Sequence, residues 1–178
     1  VLLLRGARIA SAFISGAILS LSGVVMQTLL RNPLASPYTL GISNAAAFGA
    51  AIGILFFSNS LIPGVTVLTA FIGTLFGLGL ILLISGIKNS GVETVILAGV
   101  VINSLFSAGI AIMQYVADSA QLATIVFWTF GDLGKGDWMA VLLLFIISLI
   151  LFITNNIYYS MYIQTWNAVD GYSNKSNE

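Results

Sequence analysis

Apolar runs of about 20 residues recur along this chain between short polar breaks, and that pattern narrows its possible folds more than anything else in it. A segment that crosses hydrocarbon must pair every backbone N–H and C=O within itself, and an α-helix does so when about 20 mostly apolar residues cover roughly 30 Å. Five runs meet or approach that length: about Ala7 to Leu30, Leu40 to Phe57, Ile62 to Ile87, Val92 to Val116 and Trp138 to Tyr158. Within them only Arg8 and Glu93 are charged, and both stand near an end. The expected fold is all-α, a polytopic transmembrane helical bundle with about five spanning helices here.

Composition closes off other classes. With 58% hydrophobic and 7% charged residues, the chain lacks the charge a water-soluble domain needs to cover its surface. The 18 glycines against 3 prolines suit helices packed closely through small residues. Without Cys or His there is no disulfide framework, no thiol nucleophile and no imidazole base or metal ligand, so no metal or cofactor is expected. Six basic and six acidic residues, scattered singly, offer no surface for nucleic acid; the expected surroundings are a lipid bilayer. The chain opens with Val inside an apolar run, which reads as a truncated start rather than a secretory signal.

The breaks read as turns: Arg31-Asn32-Pro33 with Ser36-Pro37, Ser58-Asn59-Ser60 before Pro63-Gly64, and Lys88-Asn89-Ser90-Gly91. The fourth break, Ala117 to Asp137, contains the short apolar stretch Ile125 to Phe130, which suits a helix lying at the interface. The Asn- and Ser-rich stretch Trp166 to Glu178 reads as a disordered tail. Orientation cannot be read from charge, because Arg5, Arg8 and Lys135 fall on one side and Arg31, Lys88 and Lys175 on the other.

Three groups of residues carry chemistry. The first is Ser22-Gly23-Val24-Val25-Met26-Gln27, with Arg31-Asn32-Pro33-Leu34-Ala35-Ser36-Pro37 and Leu40-Gly41-Ile42-Ser43-Asn44-Ala45 behind it. Its prolines forbid a continuous helix, and a plain helix-helix connector would account for them. The second is a face of the fourth span. At 100° per residue Gly99, Asn103, Ser107, Ile110 and Gln114 share an arc of about 80°, and such a face serves either a watery path or hydrogen-bonded helix packing. The third is acidic. Glu93 suits the positive end of its helix, and Asp118, Asp132 and Asp137 with Lys135 suit a solvated loop. Paired aspartates also define intramembrane aspartyl proteases, but here they stand at span ends beside a Lys. A channel or secondary transporter fragment is the other alternative.

The run from Ser22-Gly23 through Gln27, Arg31-Asn32-Pro33-Leu34-Ala35, Pro37, Leu40-Gly41 and Ser43 closely resembles the signature of the iron-siderophore and vitamin B12 (cobalamin) ABC transporter permease family. Further likenesses follow in order at Leu97-Ala98-Gly99-Val100, Asn103-Ser104-Leu105-Phe106-Ser107-Ala108, Phe127-Trp128, Phe130-Gly131 and Gly136-Asp137-Trp138. The resemblance implies a permease subunit of a binding-protein-dependent ABC importer for ferric siderophores, haem or cobalamin. Such a subunit has about ten helices and sits in the bacterial cytoplasmic (inner) membrane. Residues 1–178 would then be a partial permease domain without the first helix and the C-terminal half.

It also implies partners: a second permease subunit, alike or different, two cytoplasmic ATPase subunits and an extracytoplasmic substrate-binding protein. No enzyme activity is implied for the chain itself, because ATP is hydrolysed by those partners and no phosphate-binding Gly-rich loop is present. The likeness puts Arg5 and Arg8 on the outer face, docking the binding protein, although Gly6-Ala7 replaces the usual Leu-Pro between them. Gly99, Asn103, Ser107 and Gln114 would line the translocation path. Asn167, Ala168 and Gly171, in the 166–178 stretch, resemble the start of an ATPase coupling loop whose pattern Tyr172-Ser173-Asn174-Lys175 breaks.

Overall fold

The computed structural model describes residues 2–57, 64–86, 91–131 and 138–175, with side chains from residue 5 to residue 161 within those ranges. All regular structure among them is helical: α1 Leu2–Leu29, α2 Ile42–Phe57, α3 Val65–Gly86, α4 Val92–Val116, α5 Ser119–Phe130 and α6 Trp138–Lys175. Four of these contain stretches long and apolar enough to cross a membrane, namely Arg5–Leu29, Val65–Gly86, Val92–Val116 and Trp138–Met161.

The expected second span is shorter than the sequence pattern suggested. Leu40 and Gly41 belong to the preceding turn, because Gly41 takes φ +73° and so stops helix α2 from starting before Ile42. The 16 residues left reach about 24 Å at 1.5 Å each. The described part of the fourth break also differs from expectation. The apolar stretch at Ile125 is the second half of a 12-residue helix that starts at Ser119. Asp118 begins it: its carboxylate accepts from the N–H groups of Ala120 at 2.9 Å and Gln121 at 2.8 Å, and the Gln121 side chain accepts from the Asp118 N–H at 3.2 Å. This reciprocal cap satisfies donors that a helix start leaves open.

The expected disordered tail is helical as far as Lys175. Hydropathy falls after Tyr158, but the following residues include no proline and are compatible with helix, so the change of polarity does not end the element. Asp132, Asp137, Lys135 and Lys88 lie outside the described residues.

The chain divides into two compact units, Val1–Leu21 with Leu133–Glu178, and Ser22–Asp132. In the first, the start of α1 packs under Trp138, whose Cζ2 stands 3.4 Å from where a β-carbon on Gly6 would be. Ala7, Ser11 and Val141 are buried there.

In the second unit α2 is central, touching α3, α4 and α5. Small residues make that position possible. Ala45, Ala47, Gly49, Ala50, Ala51 and Gly53 are buried on several sides of one helix, so its neighbours come close all round. Gly49 and Gly73 meet backbone to backbone: a β-carbon on Gly49 would strike the Thr69 carbonyl, and one on Gly73 would strike the Ala45 carbonyl. Association between helices in lipid rests on this close van der Waals contact, since expelling apolar surface from lipid yields nothing.

Larger side chains fill the two ends. Leu40, Ala45, Ile81, Ile102 and Phe106 form one cluster, and Ala47, Ala51, Ile54, Ile110 and Ile125 the other. Phe106 joins α4 to both neighbours, its ring centroid 5.5 Å from that of Phe48 and 6.5 Å from that of Phe76. Leu75, Leu82, Leu97, Val101, Leu105 and Ile112 are exposed on α3 and α4, an arrangement water would penalise and a bilayer would not.

Candidate functional site

The signature segment folds as a turn stitched to itself. At the end of α1, Arg31 takes φ +44°, Asn32 N–H bonds the Gln27 carbonyl at 3.1 Å and Arg31 N–H bonds the Thr28 carbonyl at 3.3 Å. This is a Schellman cap with Arg31 where glycine usually stands. The Gln27 amide then reaches over to donate to the Pro33 carbonyl at 2.8 Å. Asn32 accepts from Leu34 N–H at 2.9 Å, an Asx turn that leads into the first proline.

Beyond it Ser36 and Thr39 bond reciprocally around Pro37: Ser36 N–H to Thr39 Oγ1 at 3.0 Å, Thr39 N–H to Ser36 Oγ at 3.1 Å. Gln27, Asn32 and the two prolines therefore act in shaping this turn. A β-carbon on Gly23, further back on α1, would meet nothing within 4 Å.

The turn lies against the polar face of α4. Gly99 is buried, and a β-carbon on it would fall 2.8 Å from Leu40 Cδ2 and 2.9 Å from Leu40 Cα. One turn on, a β-carbon on Gly41 would crowd the backbone of Asn103 as closely, 2.8 Å from Asn103 Cα. Next to this contact Asn44, at the start of α2, donates from Nδ2 to Asn103 Oδ1 at 2.8 Å and to Ser107 Oγ at 2.7 Å. Ser107 in turn donates to the Asn103 carbonyl at 2.9 Å.

So the structure brings Gly99, Asn103 and Ser107 of the sequence-derived face together with Gly41 of the signature. Gly99 and Asn103 serve packing and cross-helix hydrogen bonding within the chain. Ser107 remains exposed, Gln114 is half-buried toward the far end of α4, and Ile110, on the same arc, is buried in the second apolar cluster.

The other candidates lie elsewhere. Arg5 and Arg8 are both exposed in the first turns of α1. Asn167, Ala168 and Gly171 fall within the backbone helix of α6, not in a loop, and their side chains lie outside the described residues. Asp118 is exposed, its carboxylate occupied in capping α5, and among the described residues no group of His, Cys, Asp and Glu could hold a metal ion.

Asn44 is the residue that reading the sequence did not assign. Its signal was an amide side chain near the start of a segment otherwise built of Ala, Gly, Ser and apolar residues, but its partners sit 59 and 63 residues away.

Helices of this apolarity, with their polar groups turned onto one another, define a multi-pass membrane protein. The chain belongs to the FecCD transport family, whose family model matches residues 1–166. It is 47% identical over 145 residues to a permease protein assigned to an ABC transporter in Methanocaldococcus jannaschii, an alignment covering 76% of this chain and 42% of that one. Against the hemin transport system permease protein of Yersinia pestis it is 36% identical over 144 residues, covering 78% of this chain and 42% of the relative.

A solved transporter assigned to the metal-chelate type of ABC transporter, in an inward-facing conformation, superposes with a TM-score of 0.72 at 33% identity, covering 82% of this chain and 46% of that one. The chain spans about two fifths of the length of the curated relatives it matches.

Proposed function

We infer that the protein forms part of the membrane permease of a binding-protein-dependent ABC importer, in the cytoplasmic membrane, whose substrates are metal chelates such as ferric siderophores, haem or cobalamin. The observation that carries this reading is the match of residues 1–166 to the FecCD transport family. The likeness to a transporter of the metal-chelate type narrows the substrate class.

In this reading a binding protein docks at Arg5 and Arg8, whose exposed charge speeds and orients the encounter. Cytoplasmic ATPase subunits drive the path between outward and inward openings, and a second permease subunit completes it. The polar face of α4, exposed at Ser107 and half-buried at Gln114, borders the path. Asn167, Ala168 and Gly171 belong to the region that couples to the ATPase, and their helical backbone suits a rigid lever better than a loose loop.

The test is uptake. The full-length gene carrying this segment, expressed with its neighbouring ATPase and binding-protein genes in cells lacking their own permease, should restore ATP-dependent accumulation of an iron-labelled chelate. Accumulation that needs neither partner would point to a channel or secondary transporter, and loss of uptake on ATPase inactivation is the expected result.

A further inference from the structure

The amide nitrogen of Asn44 has two N–H groups, and α4 takes both. One goes to Asn103 Oδ1 at 2.8 Å and the other to Ser107 Oγ at 2.7 Å. The two acceptors stand four residues apart, one helical turn, on the same face of α4. A single bond would leave α4 able to turn about it, whereas two bonds from one donor group to successive turns oppose both rotation and sliding. The hydroxyl of Ser107 is itself aimed by donating to the Asn103 carbonyl at 2.9 Å, which leaves its lone pairs for Asn44. Beside these bonds the backbone of the turn is already in contact with α4 at Gly41 and Gly99.

The exposed faces of α4 are apolar and lipid accepts any of them, so the restraint on its rotation comes from the side packed inside the chain. There the two hydrogen bonds add a directional restraint to the close contacts at Gly41 and Gly99.

We propose that Asn44 is the positioning residue of α4, clasping Asn103 and Ser107 to α2 and thereby fixing which side chains of α4 face the translocation path; this rests on the reading of α4 as a border of that path. With the clasp made, Asn103 and Ser107 face α2, and the direction of Gln114, on the same arc, is set with them. Removing the two donors removes the side-chain hydrogen bonds that, among the described residues, tie α4 to α2.

This segment contains no cysteine, so an introduced thiol is the sole labelling site within it, and any cysteine elsewhere in the assembly is replaced first. The experiment uses the full-length permease, assembled with its ATPase and binding protein in proteoliposomes. Single cysteines are placed at Ala108 or Ala111, both exposed on α4, and labelled with a methanethiosulfonate reagent. Asn44→Leu, which keeps the size and loses the donors, should change the ratio of the two labelling rates by roughly threefold or more, the scale of one or two lost hydrogen bonds.

Asn44→Ser, with one donor, should recover part of that change. Maximal uptake should fall in Asn44→Leu with little change in the half-saturating substrate concentration. An unchanged labelling ratio in a folded Asn44→Leu protein would overturn the proposal. If that variant does not fold, Asn103→Ala with Ser107→Ala removes the acceptors instead and is read by the same ratio. A parent protein without ATP-driven uptake would sink the transport reading alone, since the labelling ratio needs no transport and still decides the clasp.

Discussion

Gly41 and Asn103 meet backbone to backbone: a β-carbon at position 41 would lie 2.8 Å from the Asn103 Cα, and Gly41 also holds φ +73°. Two independent constraints thus fall on one residue, a left-handed backbone and an absence of space. Gly64 separates them, with φ +82° and open space within 4 Å of where its β-carbon would be. Gly64→Ala should therefore lose only the conformational part, about 1–2 kcal/mol. Gly41→Ala should lose that and about 1–3 kcal/mol of overpacking as well. Thermal unfolding in detergent, comparing the two variants, checks the difference.

A parallel contrast separates two glycines with helical backbone. Gly99 sits under Leu40, while a β-carbon on Gly16 of α1 would meet nothing within 4 Å. Gly99→Ala should destabilise by about 1–3 kcal/mol through collision with the turn, whereas Gly16→Ala should stabilise by up to about 1 kcal/mol through helix propensity. Opposite shifts of the melting temperature are expected from the same chemical change.

Arg31 occupies the left-handed position that ends α1, at φ +44°. Glycine adopts that conformation without the crowding of a β-carbon. Arg31→Gly should leave the turn intact and raise stability by about 1 kcal/mol, read as a higher melting temperature. A loss of stability would mean that the arginine side chain contributes something its exposed position does not suggest.

Asp118 tests whether an acidic residue near the span ends is structural. Its carboxylate takes the N–H groups of Ala120 and Gln121, a task asparagine also performs. Asp118→Asn should be close to neutral, and Asp118→Ala should cost about 0.5–2 kcal/mol. Hydrogen exchange over residues 119–130 should show the start of α5 loosening in the alanine variant alone.

The proposed docking role of Arg5 and Arg8 predicts a kinetic signature. Arg5→Glu with Arg8→Glu should slow association of the binding protein by about tenfold at low salt, with dissociation less affected. The gap should narrow as ionic strength rises and screens the charges. Surface-based binding kinetics at two salt concentrations would separate steering from a general loss of fold.

Long-range architecture was readable where it depends on one local quantity. Runs of apolar residues matched α4 to the residue and contained α3, whose Val65–Gly86 lies inside the expected Ile62 to Ile87, and the breaks at Pro33 and Pro37 marked the turn. Three features required something else. The start of α2 hangs on the backbone angle of Gly41, which composition does not encode. The reach of α5 was present in the pattern Asp118-x-x-Gln121, a capping box, but a polar stretch masks such a start when only hydropathy is followed.

The continuation of α6 past Tyr158 shows that solubility and helicity change at different places. At the site, periodicity put Gly99, Asn103 and Ser107 on one face, but it carries no information about what that face meets. Whether such a face borders water or a neighbouring helix depends on the partner that long-range packing supplies, and here Leu40 and Asn44 supply it.

The shortness of α2 has a consequence for the turn in front of it. A helix of about 24 Å falls short of a hydrocarbon layer of roughly 30 Å, so wherever α2 stands upright among lipids its polar flank is drawn toward a depth where water is scarce. Gln27, Asn32, Ser36 and Thr39 bind backbone groups on that flank that would otherwise look for solvent. The segment carries its own hydration with it, built from side chains instead of water, and the protein can thereby keep an irregular backbone at a depth where a bare loop would be excluded.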